Sequence, residues 1–196
     1  MKIPHAILFL AVGSACGIVV RAQAPKPPAT FGIGRPATAA EIAAWDIDVG
    51  PDGAGLPPGS ATSADGAPIY AAKCASCHGA TGKEGPNDRL VGRVPGDEFP
   101  FARDPRVPRT IGSYWPYATT VFDYIRRAMP PTAPGSLSDR EVYALTAYLL
   151  ALNNLIPDDA SMDATSLPKV TMPARDRFVP DPRGGPKVSA TPVKPK

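Results

Sequence analysis

An all-α domain with extended arms on either side is the fold this sequence predicts, and three observations carry it. Apolar residues recur at helical spacing only between Gly66 and Leu155. Two capping boxes, Thr38 with Glu41 and Ser138 with Glu141, mark helix starts. Outside the periodic stretch the chain is proline-containing and has little apolar repetition to bury.

In chain order, residues 1–22 read as a secretory leader. Lys2 gives the positive start, Ala6 to Val20 is apolar but short for a membrane span, and cleavage is favoured after Ala22. Residues 23–65 form an arm. In it Thr38 caps a short helix running through Trp45, Asp46 to Val49 alternates as an extended strand would, and Pro51-Asp52-Gly53 makes a turn. Gly53 to Ala64 reads as a linker. Residues 66–157 are the helical domain. Its first helix is expected from near Ala67 to Cys74, with Asp65 as cap and Pro68 in the first turn. A loop-rich stretch follows to Thr110, with Leu90 and Val91 able to turn inward. The spacing of Ala118, Val121, Phe122 and Ile125 predicts a helix over Tyr117 to Ala128, stopped at Met129 by Pro130. The last helix starts at Asp139 under the Ser138 cap, carries a stripe of Val142, Leu145, Leu149 and Leu152, and ends at Asn153-Asn154. Residues 158–196 are an extended tail.

Cys74-Ala75-Ser76-Cys77-His78 is a C-x-x-C-H pentapeptide. That spacing lets two thiols add across the two vinyl groups of one porphyrin while the adjacent imidazole reaches the iron. The other cysteine, Cys16, and the other histidine, His5, lie in the leader. A structural zinc site wants four ligands, usually from two separated pairs, and no second pair exists. A thioredoxin-like dithiol would sit among alternating strands and helices, which are missing. A plain disulfide would explain the cysteines of an exported protein but not the histidine beside them. The motif therefore predicts one covalent haem c. A helical core this small is marginal alone, and an apolar macrocycle at its centre supplies buried surface.

The chain holds 21 basic and 18 acidic side chains, and removing Lys2 and Arg21 with the leader leaves the mature part nearly neutral. That excludes the concentrated basic surface of a nucleic-acid binder. Charge is nevertheless uneven: Glu41 to Asp65 is acidic, and Lys169 to Lys196 is basic.

Iron bound by His78 on one face needs a group on the other. The candidates are Met129, Met162, Met172 and a lysine. Met129 stands out because it lies between two helices and precedes Pro130-Pro131, which favour a stiff, extended backbone. Met162 and Met172 read as core fillers or exposed residues. A thioether ligand raises the reduction potential and fills the position that gases or peroxide would take, which points to electron transfer. The alternative is a ligand-binding or sensory haem module in which Met129 leaves the iron.

From Gly66 to Asn153 this pattern resembles class I cytochrome c. The resemblance places Gly66 and Tyr70 against Leu145 and Tyr148 where the terminal helices cross. It also implies that the Pro86 carbonyl, in Gly85-Pro86-Asn87, accepts the His78 Nδ1 proton. The flanks narrow the likeness. Phe31 to Arg35, Trp45 to Val49, Pro51 to Pro57, Ser113 to Thr120, Arg126 to Pro130 and Met172 to Arg183 are similar to Sox-type cytochrome subunits. Such subunits serve periplasmic molybdenum dehydrogenases that oxidise sulfane or sulfite sulfur. The resemblance thus implies an exported electron-transfer protein, not an enzyme by itself, with a dehydrogenase partner and a downstream electron carrier. Trp115, Arg126 and Arg127 are candidates for bonding a haem propionate.

Overall fold

In the computed structural model the described residues are 33–94, 99–101 and 103–179. The leader, the start of the arm and the end of the tail lie outside them. The described residues before Ala40 belong to a unit separate from the rest and are exposed throughout.

Capping boxes set where two of the helices begin, at Ser63 and at Asp139. Helix α1 spans Ala39–Trp45, as the Thr38 box predicts, and none of its residues is buried. Helix α2 spans Ser63–Lys73, earlier than expected. Its cap is Thr62, whose side chain accepts from the Asp65 N–H while the Asp65 carboxylate accepts from the Thr62 N–H. Asp65 is therefore the return partner of a capping box and not the cap. Pro68 consequently lies in the second turn, on the exposed side of the helix. The pentapeptide continues from it as the short helix α3, Ala75–His78. Helix α4 spans Ala118–Ala128 and buries Ala118, Val121, Phe122 and Ile125. Helix α5 spans Asp139–Leu152 behind the Ser138 cap, which closes its box with Glu141.

The predicted stripe on α5 is too narrow. Val142, Leu145 and Leu149 are buried, but so are Tyr143, Ala144, Thr146, Ala147, Leu150 and Ala151. A helix covered on most sides is the centre of its domain, with neighbours on several faces. Helix α2 crosses one face. A methyl on Gly66 would stand 2.1 Å from the Ala144 carbonyl oxygen, so only glycine permits this approach. Tyr70 of α2 and Tyr148 of α5 pack there with ring centroids 5.3 Å apart. Helix α4 takes another face, with Phe122 on Tyr143 at 4.6 Å.

Both arms contribute to this core. The expected linker contains strand β1, Ser60–Thr62, which pairs antiparallel with β2, Ser161–Asp163, in the tail; Ala61 faces Met162 across the pair. Both side chains are buried, as are Leu167 in a 3-10 turn, Met172 and Ala174. Asp46 to Val49 is not a strand. It runs past α4, where the Val49 N–H donates to Asp123 Oδ1 at 3.0 Å and the Ile47 carbonyl accepts from Arg126 at 3.1 Å. Side chains, and not a neighbouring strand, bond these two backbone groups.

Candidate functional site

The chain turns at Cys74, where α2 ends and α3 begins. Its N–H donates to the Tyr70 carbonyl at 2.9 Å, and its own carbonyl accepts from the N–H groups of Cys77 and His78. The pentapeptide thus stays wound. Tyr70, buried in α2, donates its hydroxyl proton to the Gly79 carbonyl at 2.9 Å and so ties the residue after the motif to the helix before it. Burial pushes that phenol up to about 12.

The loop beyond folds back over the motif. The Asn87 N–H donates to the Cys77 carbonyl at 2.9 Å, and a methyl on Gly85 would stand 2.2 Å from that same oxygen. Glu84 accepts from the Thr81 hydroxyl and the Lys83 N–H, which hold its carboxyl below the usual range. This tight return delivers a carbonyl to His78: Nδ1 lies 2.8 Å from the oxygen of Asp88. The partner is therefore Asp88 and not Pro86. Gly85 and Asn87 are the residues held against the motif backbone, so the carbonyl that reaches the ring comes two positions later than the resemblance implied. With Nδ1 donating there, Nε2 is the nitrogen left for a metal.

Cys74 and Cys77 are unpaired and half-buried. Burial, partly offset by Lys73, raises the Cys74 thiol to about 11. No group of three or more His, Cys, Asp or Glu able to hold a metal occurs among the described residues.

Met129 follows the last residue of α4. Its N–H donates to the Ile125 carbonyl and its backbone is extended, with ψ 144°, as the following Pro130 requires. It is half-buried against the core. Met162 and Met172 sit inside the core at 6% and 2% exposure, as fillers and not as the exposed residues the sequence equally allowed. Cys74, Ala75, Leu90, Trp115 and Met129 are apolar groups from four parts of the chain that the core covers only in part. Two unpaired thiols, one imidazole with a free Nε2, a thioether and half-covered apolar side chains fit covalently held haem.

The propionate candidates have other partners. Arg126 pairs with Asp139 at 3.1 Å as well as with Ile47, and Arg127 pairs with Asp123. Trp115 packs edge-on to Tyr124 at 5.7 Å. Sequence reasoning missed two residues that shape the surroundings. Buried Asp123 gathers Arg127 and the Val49 N–H. Buried Asn153 accepts from the Gly92 and Gly112 N–H groups and donates to the Leu149 and Leu90 carbonyls, holding Leu90, Gly92 and Gly112 against the end of α5. Its side-chain amide has no local signature beyond ending a helix.

The family model of cytochrome c oxidase, cbb3-type, subunit III matches residues 61–149, from β1 into α5. One chain of the crystal structure of the sulfane dehydrogenase SoxCD from Paracoccus pantotrophus is 39% identical, with 85% of each chain covered and a TM-score of 0.67. The chain belongs to the Sox-type class I cytochromes c. No curated protein matches the sequence. This Sox-type cytochrome carries covalent haem c and works by electron transfer. When bound, the haem supplies a one-electron couple at its iron. The Asp88 carbonyl fixes the orientation of the His78 ring through Nδ1. Among the described residues no helix is long and apolar enough to cross a membrane.

Proposed function

We propose that this cytochrome is the electron-accepting subunit of a periplasmic molybdenum dehydrogenase for sulfane or sulfite sulfur, and that it passes electrons singly to a downstream carrier. Cys74 and Cys77 would attach the haem, and His78 and Met129 would ligate its iron. The chain does no bond chemistry itself; sulfur oxidation belongs to the partner. The observation that carries this reading is the 39% identity over 85% of both chains, a likeness that takes in the arms as well as the haem domain. The leader read at residues 1–22 supports export. The burial of Met162 and Met172 supports Met129 as ligand, because either alternative would have to leave the core first.

Purification of the native complex tests the reading. A molybdenum subunit should co-purify, and adding its reduced sulfur substrate should reduce the haem. A cytochrome that purifies alone and stays oxidised when mixed with the dehydrogenase would overturn it. Rapid carbon monoxide binding, with no absorption band for methionine-ligated ferric iron, would favour the ligand-binding alternative.

A further inference from the structure

Met129 sits at the mouth of a loop with little support of its own. Between Pro130 and Ser138 only Leu137 is buried, and residues 131–136 are all exposed. Two backbone bonds, Ala133 N–H to the Pro130 carbonyl and Ser136 N–H to the Ala133 carbonyl, shape the loop from within. Where the thioether points is therefore set by how the end of α4 stands relative to the start of α5.

One side chain joins those two ends. Arg126, in the last turn of α4, pairs through Nε with Oδ1 of Asp139, the first residue of α5, at 3.1 Å. The cation is at a helix C-terminus and the anion at a helix N-terminus, so both charges lie where the helix dipoles favour them. Through Nη1 the same guanidinium donates to the Ile47 carbonyl at 3.1 Å. The arm segment is fixed a second time on α4, where the Val49 N–H donates to Asp123. The Arg126 side chain is 20% exposed, less open than the paired cations of Lys73, Arg106, Arg127 and Arg140.

We propose that Arg126 is a positioning residue for Met129, tying the end of α4 to the start of α5 and to the arm so that the loop between them holds the thioether in place. The proposal rests on the reading of Met129 as the iron's second protein ligand. Arg126 acts through backbone placement and does not touch the iron. Its planar guanidinium serves two acceptors in fixed directions, a task a lysine ammonium does poorly.

Imidazole added to the full-length holo-cytochrome competes with Met129 for ferric iron, and loss of the methionine–iron absorption band reports the exchange. Arg126→Gln and Asp139→Asn should each surrender the band at imidazole concentrations about threefold to tenfold below wild type, the range expected for losing a partly shielded, charge-assisted contact. Met162→Ala, a core truncation, should melt at lower temperature yet exchange at the wild-type concentration. Midpoints within twofold of wild type for both charge variants, or a shift matched by Met162→Ala, would overturn the proposal. Should Arg126→Gln fail to fold, Asp139→Asn decides alone. Met129→Ala separates the two readings: a band that survives there refutes Met129 as ligand, whatever Arg126 does.

Discussion

Replacing Gly66 with alanine should weaken the whole domain, although helix propensity alone says the opposite. An alanine inside a helix is favoured over glycine by about 1 kcal/mol. At this position the new methyl would stand 2.1 Å from the Ala144 carbonyl oxygen and 2.7 Å from Tyr148 Cβ. A carbon–oxygen contact relaxes only near ~3.3 Å, so α2 and α5 must part by about 1 Å. Neither obstacle is a flexible side-chain end that could swing away. A gap of that size forfeits roughly a quarter to a half of each dispersion contact across the crossing. The contacts at stake include Tyr70, 1% exposed, and its partner Tyr148. With steric strain added and the propensity gain subtracted, the expected loss is about 2–4 kcal/mol. For a chain of this size that lowers the melting temperature by roughly 5–15 °C. Thermal unfolding of the purified holo-protein, followed by circular dichroism, measures it. A Gly66→Ala protein melting at or above wild type would show that the helices do not cross as closely as described.

Mass spectrometry of the denatured mature protein should find one haem added, and a mass corresponding to two would contradict attachment through Cys74 and Cys77 alone. Met129→Ala should keep its covalent haem but show a lower reduction potential in a redox titration; an unchanged potential would remove Met129 from the iron. Met172→Ala should leave the spectrum intact while costing about 2–5 kcal/mol in chemical unfolding, as a buried truncation does. Glu141 is held near 2 by Lys73 and the Ser138 N–H, so its contribution is complete above the ordinary carboxylate range and fades as pH falls toward 2. The pair is partly exposed, which limits the effect to about 0.2–1 kcal/mol; Glu141→Gln should flatten the acid side of the stability profile, and a profile parallel to wild type would deny the role. A fragment limited to residues 66–157 lacks the Thr62 cap, β1, β2 and buried Val49, Leu167 and Met172, so it should unfold at markedly lower denaturant concentration than the full mature chain.

The sequence by itself determined what depends on neighbours along the chain. The pentapeptide named its cofactor because thiol spacing and the adjacent imidazole are local chemistry. The ends of α4 and α5 were legible because Pro130 and the Ser138–Glu141 box act within a single turn. The Thr62–Asp65 box at the start of α2 also acts within a single turn, and only the strand pairing of Thr62 comes from the tail. Tertiary structure decided what depends on distant residues. The arm and tail enter the core because Ala61 finds Met162 across a strand pair joining positions far apart in the chain. Asp88 rather than Pro86 reaches His78 because loop register is set by Gly85 and Asn87 pressing on the motif backbone. From sequence Arg126 reads as a candidate for a haem propionate; its partners Ile47 and Asp139 come from opposite sides in sequence, and folding alone brings them together.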